Sequence, residues 1–307
     1  MGERGVILTV TFNPAVDHTL AVGAALEDGA VQYSDDERFD AGGKGINVSQ
    51  YVAGLGGETL ATGLVGGFTG EYIRTALEGE LRTDFVGTDG LTRLNTTVLA
   101  GDSEYKVNHR GPDVGGEAVD AVVETLRRHD PDVVAVCGSL PPGLDVSSTD
   151  RVAAAGEWAT AVDVGGESLA ALDGNYAYCK PNEAELAAAT GRSVESVPEA
   201  FAAARALREQ GFERVVASLG GDGAILVGPD AAFHAAAVDV EVVDTVGAGD
   251  ALFAGVLAAS DAGADDEQAL RRGVAVASRV VGAAGTSVPA FDGLDEAAAT
   301  VELTRES

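Results

Sequence analysis

The chain predicts an α/β fold, and three observations carry that prediction. Short β-branched runs at residues 6–12 and 133–137 alternate with helical patterns such as 117–128, where Val119, Val122, Val123 and Leu126 share one face. Glycine-rich turns follow several of the runs, as strand-to-helix punctuation requires. With 307 residues, 46% of them hydrophobic, the chain can build a full core as one large domain or one domain with an insertion.

Each element can be justified in turn. Residues 6–12 read as a buried first strand that delivers Asn13-Pro14-Ala15-Val16-Asp17 at its C-terminal end, where open α/β sheets bind ligands. Between residues 20 and 40, Val31, Tyr33 and Phe39 alternate with acidic neighbours and predict edge strands. Gly42-Gly43-Lys44-Gly45 lets backbone approach a ligand closely before a helix over 46–55, and Lys44 offers a charge to a phosphate. A second extended patch spans residues 85–108. In and just after it stand Arg93, Lys106, His109 and Arg110, which read either as surface ion pairs or together as a clamp for an anionic substrate.

After the helix at 117–128 and the strand at 133–137 comes the loop Gly138-Ser139-Leu140-Pro141-Pro142-Gly143. It is not the Gly-x-Ser-x-Gly elbow of a hydrolase, which excludes Ser139 as a nucleophile of that kind. Strands are expected at 159–164 and 176–179. The second ends in Lys180-Pro181-Asn182-Glu183-Ala184-Glu185, where Pro181 opens a helix and Asn182 with Glu185 forms an i, i+3 pair. A helix at 198–208 precedes a strand, turn and strand over 215–224, and the last helix is expected at 268–282.

The stretch with the most chemistry is Asp244-Thr245-Val246-Gly247-Ala248-Gly249-Asp250, followed by a run of small apolar residues at 251–259. Strand, glycine turn and helix would aim the unpaired N–H groups of Gly247, Ala248 and Gly249 at one point, an anion hole. Asp250, at the start of the helix, would be kept ionised by the helix dipole and could take a proton from an attacking hydroxyl. An anion cradle beside a base suggests phosphoryl transfer. A tight turn with a capping aspartate is the plainer reading of Gly-x-Gly-Asp alone.

Composition narrows the function classes. Twenty basic against forty-nine acidic residues give a net charge of −29, which excludes phosphate backbones and anionic lipid surfaces as partners and suits a salt-rich cytoplasm. Only three lysines occur, Lys44, Lys106 and Lys180, and each lies within one of the stretches above. Cys137 and Cys179 sit in or beside apolar runs and read as buried hydrophobes in a reduced compartment. His18, His129 and His234 have no ligand-like spacing. No secretory leader or membrane-length apolar run is expected, and neither a P-loop nor a Gly-x-Gly-x-x-Gly fingerprint is present.

Taken together, Gly42-Gly43-Lys44-Gly45-Ile46-Asn47 near one end and Asp244 to Asp250 near the other resemble the two signature regions of the ribokinase-like, or PfkB, carbohydrate kinases. The resemblance runs from about residue 6 to 290. It implies a three-layer α/β/α sandwich formed by a single domain over 1–307, with insertions near 17–40 and 85–110 building a small β-sheet lid, through which two copies could pair. It implies ATP and Mg²⁺ as cofactors, Asp250 as base, and Gly247, Ala248 and Gly249 as the amides that hold the migrating phosphoryl group. The sugar would meet Asp17, Gly42, Gly43, Lys44, Asn47, Arg93, Lys106, Asn108 and Ser139. Lys180, Asn182, Ser218, Gly220, Gly223, Thr245, Gly247 and Gly249 would line the nucleotide site, with Ala275, Ala277 and Ser278 near the adenine. Glu185 would reach the metal through water. The elements Asn-Pro-Ala-x-Asp and Lys-x-Asn-x-x-Gly-Pro are similar to those of the phosphosugar-specific branch, with fructose 1-phosphate the first expectation as substrate. Fructose 6-phosphate, tagatose 6-phosphate, an unphosphorylated sugar, or a silent sensor of sugar phosphates are the alternatives.

Overall fold

The computed structural model describes residues 5–283 and 288–306. Its first half runs β1 (Val6–Thr11), β2 (Ala15–Val22), β3 (Asp36–Gly42), α1 (Lys44–Gly54), β4 (Glu58–Val65), α2 (Gly67–Leu77), β5 (Val86–Gly87), β6 (Arg93–Ala100), β7 (Ser103–Asn108), α3 (Gly116–His129) and β8 (Val133–Cys137). The second half runs α4 (Ser147–Ala153), β9 (Ala159–Asp163), α5 (Gly166–Ala171), β10 (Tyr176–Cys179), α6 (Glu183–Thr190), α7 (Val197–Arg208), β11 (Phe212–Ser218), β12 (Ala224–Val227), β13 (Ala232–Ala235), α8 (Ala248–Asp261), α9 (Asp266–Val281), α10 (Leu294–Thr300) and β14 (Leu303–Arg305).

The main sheet has the order β14-β13-β12-β11-β10-β9-β8-β1-β4-β5. From β5 to β11 neighbouring strands are parallel, and β12, β13 and β14 continue it antiparallel. Parallel strands are buried on both faces, which is why they read as continuous apolar runs. Alternate residues feed two cores: Leu8, Val10, Val134 and Val136 pack with α3, α4, α5, α6 and α7, while Ile7, Ala135 and Cys137 pack with α1, α8, α9 and α10. That is a three-layer α/β/α sandwich. Each fully buried Leu or Val contributes about 1.5–3 kcal/mol of transfer free energy.

The small-residue run of the sequence is α8, which is apolar all round because it lies between α1 and α9. A Cβ on Gly255 would come within 2.7 Å of the Gly273 Cα, so glycine there lets α8 and α9 approach closely.

A second sheet, β3-β2-β6-β7, pairs β2 parallel to β6 over eight residues and antiparallel to β3. It is the lid sheet, and its bounds differ from expectation. Residues 23–35 form no strand, and Val31 and Tyr33 are exposed at 82% and 84%, so their alternation with acidic residues marks a solvated connection. The piece of chain at Val86–Gly87 joins the main sheet beside β4.

The expectation of a last helix at 268–282 also needs correction: α9 is followed by α10 and by β14, which extends the main sheet. α10 buries Leu294 but has too few apolar residues to show a period. Pro181 does not open α6 either. Asn182, in extended backbone, is the N-cap, and the helix starts at Glu183.

Candidate active site

The C-terminal ends of β1, β8, β9, β10 and β11 meet the N-terminal ends of α1, α6 and α8 at the edge of the lid. Asp250 is the third residue of α8 and is only 6% exposed. Its Oδ2 accepts a hydrogen bond from Asn47 Nδ2 at 2.8 Å. Burial pushes its pKa up to about 6, helped by the charge of Asp163 and opposed by Lys180, the Asn47 hydrogen bond and Lys44. Loss of water thus raises the carboxyl above the ordinary aspartate range while leaving it mostly ionised at neutral pH.

Gly247 caps α8 in the left-handed region at φ 79°, and a Cβ there would lie 2.6 Å from the Tyr51 hydroxyl. The turn spends part of its hydrogen bonding locally: Val246 N donates to Asp244 Oδ1 at 2.9 Å and Ala248 N to Thr245 O at 3.3 Å. The Ala248 amide is thus not free, contrary to expectation, since the turn closes on it. Among the described residues, the amides of Gly247, Gly249 and Asp250 have no partner. Three unpaired N–H groups at a helix start remain an anion cradle.

Beside the cradle lies a group that sequence reasoning missed. Asp163, the last residue of β9, is fully buried. Lys44 Nζ donates to its Oδ1 at 2.8 Å, and Lys180 Nζ stands 3.3 Å from its Oδ2 without a well-directed hydrogen bond. Burial works to lower the Lys44 pKa, but Asp163, Glu185 and Asp250 together carry it above the ordinary lysine value. Lys180 is itself buried, with Nζ next to Gly249. Two of the chain's three lysines are therefore held at the cradle by one carboxylate.

On the lid side, Asp17 Oδ1 accepts from Asn95 Nδ2 at 2.9 Å, and a Cβ on Gly42 would fall 2.1 Å from Asp17 Oδ2. Gly43, at φ 142°, turns the chain into α1 and so places Lys44 and Asn47 over the strand ends. Asn47 Oδ1 is buried and accepts no hydrogen bond among the described residues. Arg93 Nε donates to the carbonyl oxygens of Asn13 and Pro14 at 3.0 and 3.4 Å. Burial lowers its pKa against the pull of Asp17, although a guanidinium stays charged.

Ser139 lies 3.4 Å from Asn13 Nδ2. Asn108 lies opposite Asn95 in the lid register. Lys106 does not join this group. Its side chain is 60% exposed and its ammonium pairs with Glu104 at 3.1 Å, because the β7 edge faces solvent. The fourfold basic clamp expected from the sequence is in this respect reduced. His109 Nδ1 accepts from Gly111 N, and Arg110 contributes its carbonyl to Asn13.

A cavity of about 500 Å³ opens on the other side of the cradle. Asn182, Ser218, Gly220, Gly223, Thr245 and Gly249 line it, and Val238, Val242, Leu252 and Val274 supply an apolar wall. Ala277 and Ser278 reach it as expected, whereas Ala275 is buried in the core. Val238 and Val242 were not anticipated: the strand expected before the glycine turn does not form, and residues 236–243 run as irregular chain along the cavity. A larger cavity, at Arg205, Arg208 and Arg305, has none of these groups and lies by the turn between β12 and β13.

Asn182 and Glu185 form a reciprocal capping box: Asn182 N donates to Glu185 Oε2 at 2.9 Å, and Glu185 N to Asn182 Oδ1 at 2.8 Å. The other Glu185 oxygen stands 3.8 Å from Lys44 Nζ. Among the described residues no three acidic, histidine or cysteine side chains gather as a metal cage. The donor set fits an ion held chiefly by phosphates and its own water, as Mg²⁺ is.

The model of the pfkB family of carbohydrate kinases matches residues 10–291. A 1-phosphofructokinase of Haloferax volcanii is 53% identical over 300 residues, covering 97% of this chain and 98% of that protein. A 1-phosphofructokinase of Bacillus subtilis is 37% identical, covering 88% and 90%. Among solved structures, phosphofructokinase-2 of Escherichia coli in complex with fructose-6-phosphate superposes with a TM-score of 0.85 at 26% identity, covering 96% and 98%.

Proposed function

The chain belongs to the pfkB family of carbohydrate kinases, and from that premise we propose that it transfers the terminal phosphoryl group of ATP to fructose 1-phosphate, giving fructose 1,6-bisphosphate. The observation that carries this reading is the place of Asp250: buried, bonded to Asn47, and set between the nucleotide-sized cavity and the lid.

In this reading Asp250 accepts the proton of the C6 hydroxyl as that oxygen forms a bond to the terminal phosphorus and ADP leaves with the bridging oxygen. A pKa near 6 leaves the carboxylate mostly ionised at neutral pH yet basic enough to accept the proton. The Gly247 and Gly249 amides face the migrating group, where preorganised donors stabilise charge without rearranging. Lys180, held by Asp163, adds a positive charge beside Gly249. The idle Asn47 Oδ1 and the Asp17 carboxylate accept hydrogen bonds from sugar hydroxyls. Arg93 and Ser139 serve the phosphate already on the sugar, while Lys44, held at the cradle by Asp163, faces the phosphoryl group in transfer. Magnesium on the ATP phosphates, with Glu185 reached through water, would neutralise their charge. The lid sheet excludes water, the competing acceptor.

We further infer that the chain works in a salt-rich cytoplasm, on its net charge of −29, and that two copies pair through the lid, where Phe39, Leu99, Tyr105 and Val107 are exposed. Sedimentation in high KCl gives the mass that tests the pairing. The activity test is kcat/KM on fructose 1-phosphate, fructose 6-phosphate and tagatose 6-phosphate in the same salt. Fructose 1-phosphate is expected to lead, and a lead for either 6-phosphate ester would overturn the choice of sugar. Binding of sugar phosphate without ATP turnover would make the protein a sensor.

A further inference from the structure

Among the described residues the chain crosses between main sheet and lid at four places, and three of these crossings meet at one residue, Asn13. Asn13, between β1 and β2, is the first crossing and is 4% exposed. Its Nδ2 lies 3.1 Å from the carbonyl oxygen of Arg110, on the return from β7 to the core. The same nitrogen is 3.4 Å from Ser139 Oγ and 3.4 Å from Leu140 O, in the loop after β8. Arg93, where the chain enters β6, donates to the carbonyl of Asn13 itself. The return and the loop are also tied directly, Val114 N donating to Pro142 O at 3.0 Å.

A carboxamide nitrogen has two hydrogens, and three acceptors surround this one. Arg110 O, the nearest, takes one hydrogen. Ser139 Oγ and Leu140 O, equally distant, compete for the other. Asn13 Oδ1 is buried and accepts nothing among the described residues, although most buried polar atoms are satisfied. Gly111, at φ 94°, sits so close that a Cβ there would lie 2.3 Å from this oxygen. A side chain that only held the fold together would have no need of a shared hydrogen and an idle acceptor.

We propose that Asn13 is a positioning residue that couples the lid to the hydroxyl of Ser139, and through it to the phosphate of the substrate. This rests on the sugar-phosphate reading above. When the second hydrogen goes to Ser139 Oγ, that hydroxyl is an acceptor on its core side and its own proton points into the cleft as a donor. When the hydrogen goes to Leu140 O, the hydroxyl turns freely. Movement of the Arg110 return selects between the two.

The test uses Asn13→Asp, which keeps the size and removes both hydrogens, with Ser139→Ala and the double variant. Asn13→Asp is expected to raise KM for fructose 1-phosphate about five- to tenfold, the effect of one ordinary hydrogen bond, with kcat and KM for ATP little changed. The double variant should be no worse than the poorer single variant. Amide hydrogen exchange should quicken in Asn13→Asp both at 109–112 and at 139–144. If Asn13→Asp does not fold, Asn13→Ser keeps one donor and should give an intermediate KM and intermediate exchange. Independent, multiplying effects of the two substitutions, a parallel rise in KM for ATP, or unchanged exchange at either segment would overturn the proposal. If the wild type turns over no sugar phosphate, the proposed function fails, and the exchange measurement still decides whether Asn13 links lid and loop.

Discussion

At the scale of the residue, Asp250 sets the pH behaviour. A base with a pKa near 6 is protonated in acid, so kcat/KM should fall tenfold per pH unit below about 6 and level off above it. The same shift acts on stability with a definite sign. The folded-state pKa lies above the unfolded one, so ionising Asp250 destabilises the fold, and stability declines as pH rises through the window between about 4 and 6. Asp250→Asn removes that charge. It should lower kcat on the order of 10²- to 10⁴-fold while sugar-phosphate binding persists, and should raise the melting temperature at neutral pH. A calorimetric scan showing a lower melting temperature would refute the second half. Gly247→Ala places a methyl group against Tyr51 at a positive φ, so it should cut kcat at least tenfold by displacing the amides. The glycines and Asp250 were legible in the sequence because they stand in one short segment. Asp163 was not: it is a lone aspartate in an apolar run, and its partners Lys44 and Lys180 come from α1 and from the residue just after β10.

At the scale of the element, the lid divides the basic residues that the sequence could only group. Arg93→Ala should raise KM for the sugar phosphate tenfold or more without affecting KM for ATP, whereas Lys106→Ala, on an exposed edge and paired with Glu104, should change it less than about threefold. Equal effects in initial-rate measurements would mean that β7 turns its lysine inward when substrate arrives. α6 offers a second contrast. Asn182→Ala removes a capping-box acceptor and should destabilise the fold by about 1 kcal/mol, seen in urea unfolding, beyond any loss in nucleotide binding. An apolar period made α3 legible, with Val119, Val122, Val123 and Leu126 on one buried face. Short elements escaped because α10 has seven residues and β14 three, too few for a pattern to repeat. Residues 23–35 misled because alternation of apolar and acidic residues describes a solvated loop as well as an edge strand.

At the scale of the whole molecule, the two cores follow from strand residues alternating between the two faces of the main sheet, and this much could be anticipated from apolar runs alone. A net charge of −29 makes the compact state repel itself in dilute buffer, so the melting temperature and activity should both rise from dilute buffer to molar KCl. A decline in both would show that the acidic surface serves some other end. The lid has its own consequence for anyone recombining such enzymes. Its two central strands, β2 and β6, are neighbours over eight residues, yet the chain between them supplies α1, β4 and α2 to the body of the protein. Neither half of the lid can be transplanted alone without breaking a ladder of backbone bonds, so exchanging sugar preference between relatives requires a two-segment graft with the registers of both donor pieces preserved.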